Sequence, residues 1–536
     1  MKIKYVLFLM IILFGTSCKK DFEDINKNPS VFTTASDGSL LNNVISSLQY
    51  GWNEQFYINN EILYKQTQMA ALFKEAWGNS TIGTEEIWAN YYNSLPNIRE
   101  LQLRFSNTTP SHALNNMNAM VKILLAYKTF KVTDLFGDIP FSEAGYGFQD
   151  VTKLRPKFDA QRSIYLTCLN ELKWAADNID PTAIGEPFAT FKTFDKLFFG
   201  DISMWRKLAN SLRLRYAMRI YDKEPAISAQ IIGEIITNDL PVLVGCNFSG
   251  AMLEVAGIYP YKCSFKNTGR IWSFREHKNL RMGSNLWHQM SSNDSANGSG
   301  IFDARAYLFF DTNNDNKWEA FPQIPVAGTP SESGVPYDSQ RDQDAAYGIK
   351  GSTCLFSPFN YFLISDQDYI PDILMTGAEV NFLKAEAYMK GIGVAQDESN
   401  ASNEYLAGIQ ASLTFWRNTL STTSLLHGSK FDTIVHIPVT LTLNYLENKV
   451  GFWNYTSFDE KLNLIYTQQL IDFFRQPMEA YSLVRRAYGR LPREGAPLSY
   501  FRFLIPPSEV SYNGVNYQNA YSSQADLTTT KMWWMQ

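Results

Sequence analysis

Histidine is scarce in this chain of 536 residues, which contains only five. None of the five stands in an HExxH motif or in another compact spacing of metal ligands. The sequence also lacks a GxSxG elbow, a GxxxxGK(S/T) loop and a strand-associated GxGxxG. Each of those patterns accompanies a common class of active site. We therefore predict that the protein is not an enzyme.

Carboxylates are the remaining candidates for catalysis, because the chain has 53 Asp and Glu residues. A catalytic set built from distant residues leaves no sequence motif, and two carboxylates beside a glycosidic bond would make a hydrolase. Asp134 and Asp138 resemble such a pair. They stand where a predicted helix ends in a tight turn, and carboxylates there more often bind local backbone amides. We adopt the turn interpretation, and a hydrolase is the less favoured alternative.

Cysteine is equally scarce, with five residues. Cys168, Cys246, Cys263 and Cys354 are widely spaced and form no CxxC motif. A domain of this size does not need disulfides for its stability. We expect mostly free, buried thiols, and Cys246–Cys263 is the one pair in which a disulfide should be tested.

The chain has no basic tract, and its formal net charge is −5. Nucleic acids and anionic membrane surfaces attract concentrated Lys and Arg residues. The charge pattern therefore predicts no nucleic-acid partner.

The first residues have the pattern of a secretory signal. Lys2 and Lys4 precede an apolar run over 5–14, which is too short to cross a bilayer comfortably, and small residues follow it. Cys18 comes directly after them, as in bacterial lipoproteins that are cleaved before the cysteine and acylated on it. We predict a signal peptide over 1–17 and a lipidated linker over 18–36. The alternative is an ordinary signal peptide with a cysteine there by chance.

Helical periodicity dominates the remainder, apart from one long interruption. It predicts a scaffold over 37–239 and 372–490, with helices at 37–77, 85–105, 111–136, 159–179, 203–221, 225–238, 375–391, 401–419, 457–475 and 478–487. Between these parts, residues 240–371 are rich in Gly, Asn, Ser and Pro, which indicates a large irregular loop layer with a few short strands. Residues 491–536 form a C-terminal segment. We predict a single, mostly α-helical domain over 37–536.

The helix predicted from Ser203 onward carries three arginines in its second half. Trp205 and the residues at helical spacing after it give the helix an amphipathic pattern, and Asp201 or Ser203 can cap its start. Arg213, Arg215 and Arg219 could form a solvated face. We favour ion pairs with acidic residues on partner helices, with three candidates downstream: Glu379, Glu386 and Glu479.

Several motifs occur in the same order as in a known family. The sequence GDxxxWxKxANSLxLRxAMR over 200–219, AEVxFLxAEAY over 378–388 and LFGDIPFSEA over 135–144 resemble the SusD/RagB group of Bacteroidetes outer-membrane lipoproteins. The resemblance implies a tetratricopeptide-like scaffold of helix pairs, although no clean 34-residue repeat is visible in this sequence. One departure stands after Arg485 and Arg486, where Ala487 and Tyr488 replace the usual Thr-Gly pair before Gly489.

The resemblance also implies a function. Members of this group are surface-exposed nutrient-binding subunits that sit over SusC-like TonB-dependent transporters, and acidic residues after Cys18 are similar to their surface-export signal. We expect a lipid-anchored protein of the outer membrane that captures a glycan or oligosaccharide. A peptide is the second ligand class, and a surface glycoside hydrolase is the less favoured alternative.

One stretch of the loop layer has the spacing of a calcium loop. Oxygen donors alternate along it, but its sixth position is Asn316 where such loops have Gly, and its twelfth is Pro322 where they have Glu. We favour an Asn-rich turn and no cofactor, with calcium as the alternative. The candidate ligands are Asp311, Asn313, Asp315, Lys317 and Glu319.

Tryptophans mark the expected ligand surface. Trp272, Trp287 and Trp318 fall in the loop layer among Asn, Ser and Gly, and Trp77 follows the first long helix. An exposed ring stacks on the C–H face of a sugar, while neighbouring amides and hydroxyls bind its hydroxyl groups; a peptide can use the same surface. Core packing is the alternative for each ring. As a group, these four are the predicted binding residues.

Overall fold

The computed structural model describes residues 35–72, 80–245, 253–259, 279–313, 315–330, 354–360, 370–421, 437–523 and 525–535. Cys18, the signal peptide and most of the predicted linker lie outside the described residues. The predicted binding residues Trp77 and Trp272 lie outside them too, as does the Cys246–Cys263 pair. Cys168 and Cys354 are both buried free thiols, as expected.

The described chain is mostly helical. A π-helix, Glu54–Leu63, lies between the first two of the following α-helices: α1 Asp37–Ser46, α2 Tyr64–Thr67, α3 Ser80–Ser106, α4 His112–Phe136, α5 Gln161–Asn178, α6 Phe188–Phe191, α7 Ile202–Arg219, α8 Pro225–Thr237, α9 Ser284–His288, α10 Arg305–Phe309, α11 Gly377–Lys390, α12 Glu398–Ser421, α13 Leu443–Val450, α14 Phe458–Asp472, α15 Pro477–Arg486, α16 Pro507–Tyr512 and α17 Gly514–Ala520.

The strands are short and form three antiparallel pairs. They are β1 Ala71–Leu72, β2 Ile139–Pro140, β3 Phe158–Asp159, β4 Val255–Ile258, β5 Leu280–Arg281 and β6 Asp372–Thr376. Strand β1 pairs with β5, β2 with β3, and β4 with β6. Two of these pairs join the loop layer to the scaffold. Strands β4 and β5 belong to the loop layer, and their partners β6 and β1 belong to the scaffold.

Neighbouring long helices form antiparallel pairs. Between α3 and α4, Trp88 contacts Phe136 and Tyr91 contacts Thr129. Residue numbers along α4 therefore fall as those along α3 rise, so the two helices run antiparallel. The same relation holds between α4 and α5. It also holds for α11 and α12, because Phe382 contacts Tyr405 while Tyr388, later in α11, binds Asp397, just before α12. The prediction of a scaffold of helix pairs is therefore confirmed.

The predicted helix boundaries need two corrections. The helix predicted over 37–77 is interrupted: α1 ends at Ser46, and a π-helix follows Gly51. The helix predicted from Met375 begins at Gly377, because Met375 and Thr376 belong to β6 and the Thr376 side chain caps α11. At the other end of α11, Gly391 has the positive φ of a helix stop, as predicted.

Helix α7 lies in the centre of the scaffold and is buried on all sides from Leu208 to Arg219, so the amphipathic prediction is wrong. Asp201 caps it by accepting a hydrogen bond from the Ser203 amide, 2.9 Å away. A helix without a solvent face must pair any charge that it carries. Arg213, Arg215 and Arg219 are therefore internal groups, and each makes an ion pair.

The ion pairs of Arg215 and Arg219 cross to three other helices. Arg215 binds Glu379 of α11, with its Nε 2.6 Å from Oε1, and also lies 3.4 Å from Glu479 of α15. Arg219 binds Glu479 at 2.5 Å and also binds Asp134 of α4. Burial alone would raise the pKa of Glu479, but the two arginines lower it. The predicted pairing across helix interfaces is confirmed for Arg215 and Arg219.

Arg213 and Glu386 bind residues other than their predicted partners. Arg213 binds Glu234 of the adjacent α8, at 2.5 Å. Glu386 binds Arg486 of α15 at 2.7 Å and accepts a hydrogen bond from Tyr466 at 2.8 Å. Burial would raise the pKa of Glu386, but Arg486 and Lys390 together lower it to about 2. Glu386 therefore stabilises a second helix contact, separate from the arginines of α7.

The turn interpretation is wrong for Asp134, and Asp138 accepts from a backbone amide 23 residues away instead of a local one. Asp134 is buried, and its carboxylate binds Arg219, the Tyr165 hydroxyl and the Trp534 indole, the last at 2.9 Å. Asp138 accepts a hydrogen bond from the Gln161 amide at the start of α5, at 2.8 Å. The two carboxylates therefore have separate structural roles, and Asp134 joins the charge network of α7.

Candidate functional site

The loop layer is held against the scaffold by a buried charge pair. Arg305, at the start of α10, binds Asp303 at 2.7 Å, and both side chains are fully buried. Arg305 also donates to Ser412 of α12, at 3.0 Å, and to Gln468 of α14. These contacts fix the described part of the loop layer on helices α12 and α14.

Trp287 and Trp318, two of the predicted binding residues, lie together inside this layer. Their rings stack with centroids 5.6 Å apart, and the Tyr307 ring meets Trp318 edge-on at 5.2 Å. The residues are only 2% and 7% exposed. The expectation of exposed rings is therefore wrong for this pair, because each ring is covered by the other and by the surrounding layer.

Gly298 allows the layer to close over Trp318. Its φ is +75°, a conformation that glycine adopts without strain. A Cβ at this position would also lie 2.7 Å from the indole nitrogen of Trp318. The Gly- and Asn-rich composition that indicated a binding surface therefore serves, at this position, to pack a tryptophan.

The stretch with calcium-like spacing forms a turn. The Asn313 side-chain oxygen accepts hydrogen bonds from the amides of Asp315 and Lys317, at 2.9 and 3.0 Å. Asn316 has a φ of +60°. Asp311 accepts from the Thr312 amide, and Glu319 is exposed. Within the described residues, no three or more His, Cys, Asp and Glu side chains are grouped to hold a metal. These contacts are those of an Asn-stabilised turn, and calcium binding stays a prediction.

A different surface lies where the loop layer meets the end of α15. The segment 489–498 crosses this junction and is bound on both sides. Gln68, at the end of α2, exchanges two hydrogen bonds with the backbone of Glu494, at 2.8 and 2.9 Å. From the loop layer, Ser284 donates to the Glu494 carboxylate at 2.6 Å and Asn285 to the Pro492 carbonyl at 3.1 Å. The segment is therefore a fixed strap.

Beneath this strap is an open cavity of about 330 Å³. Its inner wall is apolar and is formed by Leu470 of α14, Val484 of α15 and Leu498 of the strap. Tyr488 and Arg493 stand at its rim, and Tyr488 is 44% exposed. Small-molecule sites occupy about 300–1,000 Å³ and combine an apolar lining with a few polar groups. The cavity has the size and composition of a small binding site.

Among the described residues that line this cavity, Arg493 is the only charged group. Its Nη1 donates to the Gln66 carbonyl at 2.7 Å, and its Nε donates to the Ala496 carbonyl at 3.1 Å. No carboxylate among the described residues lies within 4.0 Å of the guanidinium, and the neighbouring Glu494 is bound to Ser284 instead. Burial lowers the pKa of Arg493, the direction expected for a cation without an acidic partner.

Arg490, three residues earlier, shows the usual arrangement. It binds Asp459 at 2.6 Å, and this hydrogen bond raises its pKa. Arg493, in contrast, is a partly buried cation without a carboxylate partner among the described residues. Its Nη2 makes no hydrogen bond within the described structure. Such a group can donate a charge-assisted hydrogen bond to an anion.

None of the described residues that line this cavity is among the predicted binding residues. The role of Arg493 depends on a strap fixed by residues far apart in the chain. One signal was present: the departure from the family pattern at Ala487 and Tyr488 falls on the cavity lining. Nothing in the sequence shows that Thr67 and Leu498 lie beside Ala487 and Tyr488.

Comparison with known proteins gives a family match. A family model described as SusD-like, starch-binding associating with outer membrane, matches residues 27–499. No curated protein matches the sequence. Among the described residues, no helix is long and apolar enough to span a bilayer.

Solved structures have the same fold. A chitin-binding protein superposes with a TM-score of 0.66 and 21% identity, over 94% of this chain and 100% of that chain. A SusD-like protein of Bacteroidetes AC2a gives 0.64 and 22% over 94% and 100%. A SusD homolog from Bacteroides fragilis gives 0.64 and 19% over 93% and 100%. At these identities, the similarities establish the fold alone.

The Trp287–Trp318 stack predicts a loss of stability when a ring is removed. Trp318→Ala should lower the free energy of unfolding by about 3–5 kcal/mol, because it leaves a cavity in a packed layer. Trp453→Ala is the matched control: Trp453 is 58% exposed, so its loss should change stability by no more than about 0.5 kcal/mol. Denaturant unfolding measures both. Wild-type stability in Trp318→Ala would mean that the ring is exposed in solution.

Proposed function

Since the chain belongs to the SusD-like family of starch-binding proteins that associate with the outer membrane, we propose that it captures a glycan at the cell surface and delivers it to a TonB-dependent transporter. The match over residues 27–499 carries this proposal. SusD-like proteins are binding proteins, and this chain is therefore not an enzyme.

A glycan is the ligand class that the comparisons favour. The family model is described as starch-binding, and one structural relative is described as a chitin-binding protein. Both are polymers of glucose-type units. A peptide remains the second class, because aromatic and arginine side chains also bind peptides well. We propose an oligosaccharide of neutral hexose or N-acetylhexosamine units as the first ligand to test.

Delivery requires the protein to stay at the membrane beside its partner. The family's association with the outer membrane supports a lipid anchor and a SusC-like transporter. The anchor would be an acylated Cys18, and more than one acyl chain is needed for stable attachment. The transporter would receive the ligand unchanged, because a binding protein that is not an enzyme does not alter the molecule it carries.

Ligand capture is tested by calorimetry on the lipid-free protein. Oligosaccharides derived from starch and from chitin should give saturable binding, and the recovered saccharides should have unchanged chain lengths. A peptide panel is the comparison. Binding of peptides without any saccharide would favour the second ligand class and contradict the glycan proposal. Shortened saccharides would contradict the assignment as a binding protein.

The anchor is tested by cell fractionation. Cys18→Ala should move the protein out of the membrane fraction with an unchanged melting temperature, because the substitution lies outside the helical domain. Ser17→Ala is the matched control: it keeps a small residue before Cys18 and should stay in the membrane fraction. If the Cys18→Ala variant also stays there, the lipoprotein proposal is wrong.

A further inference from the structure

The cavity beneath the strap has a chemistry that a neutral glycan does not need. Its inner wall is formed by Leu, Val, Ala and Pro side chains, which offer few hydrogen bonds to sugar hydroxyls. Each hydroxyl buried there without a partner would lose its bonds to water, at a cost of about 1–3 kcal/mol. The lining therefore disfavours a neutral sugar and favours an apolar group.

The rim of the cavity carries one positive charge, which favours a ligand with a negative group. The Arg493 guanidinium lies at the edge of the apolar wall. Its Nη2 has no protein acceptor in the described part of the chain. Its two other hydrogen bonds, to backbone carbonyls of Gln66 and Ala496, hold the group in place. A carboxylate is the acceptor that a fixed guanidinium binds most strongly.

Tyr488 extends the apolar wall to the surface. Its ring is exposed on one side and meets Phe501 edge-on, with centroids 6.1 Å apart. The Lys531 ammonium lies 5.7 Å from the same ring. A ligand held by its carboxylate at Arg493 could place its apolar body between the Tyr488 ring and the inner wall.

We propose that this cavity is a binding site for a small apolar carboxylate, or for the apolar, carboxylate-bearing end of a longer ligand. The site is separate from glycan capture and does not depend on it. Two sources share this chemistry: a free aryl or alkyl carboxylic acid, and the C-terminal residue of a peptide. The volume of about 330 Å³ is at the lower end of the range for small-molecule sites, so the bound part is small.

Calorimetry with small probes tests the chemistry directly. N-acetylphenylalanine and phenylpropionate should both bind, whereas N-acetylphenylalanine amide should bind at least about tenfold more weakly, because it lacks the charge that Arg493 needs. A dipeptide ending in Phe, with and without a free carboxylate, distinguishes the peptide source. Glucuronate, which has the charge without the apolar body, should bind weakly. Equal binding of acid and amide, or glucuronate binding alone, would overturn the proposal.

Variants locate the site. Arg493→Gln should weaken binding of N-acetylphenylalanine by about tenfold to a hundredfold, since it removes a charged hydrogen-bond donor. Arg490→Gln is the matched control, because Arg490 is paired with Asp459 and does not line the cavity. It should bind like the wild type. Wild-type affinity in Arg493→Gln would overturn the assignment.

A second variant covers the case in which Arg493→Gln loosens the strap. Ala487→Leu adds bulk to the cavity wall without touching the guanidinium, and it should abolish binding while Arg493 keeps its contacts. The melting temperature of each variant identifies those that remain folded. A folded Ala487→Leu variant that binds as well as the wild type would place the probe outside the cavity and overturn the proposal.

Discussion

The charge network of α7 is the constraint on which the scaffold depends. Arg215 and Arg219 are buried in the centre of the protein, where an unpaired charge would cost several kcal/mol. Their partners come from three helices: Glu379 from α11, Glu479 from α15 and Asp134 from α4. Helices from the first and last thirds of the chain must therefore be in place together before any of these charges is satisfied.

The same network positions the cavity. Helix α15 carries Glu479 near its start and ends at Arg486, and the strap begins three residues later. Arg485 donates hydrogen bonds to the main-chain oxygens of Asp134 and Phe501, at 2.7 and 2.8 Å, and so joins α15 to α4 and to the C-terminal segment. Because α15 is held at both ends, the wall that it contributes through Val484 is fixed relative to the strap.

Sequence patterns predicted the helices and part of the network, and failed where contacts are distant. Glu379 was one of three predicted partners for the arginines of α7, and Arg215 binds it. Asp134 was assigned to a local turn, because its partner Arg219 lies 85 residues away and only the fold brings them together. Trp318 was misassigned because Gly- and Asn-rich composition does not distinguish a binding surface from a packed layer. The position of Arg493 at the cavity rim depends on the strap, whose contacts cannot be read from the sequence.

The buried charges of α7 hold the scaffold together cooperatively, and a double-mutant cycle measures this coupling. Arg215→Met, Glu379→Met and the double variant would be unfolded in denaturant. Each single substitution should cost about 3–5 kcal/mol, because it removes the closest partner of a buried charge, and the double should cost less than the sum by about 1–3 kcal/mol. Single costs within about 1 kcal/mol that simply add would show an exposed, independent pair and contradict the account.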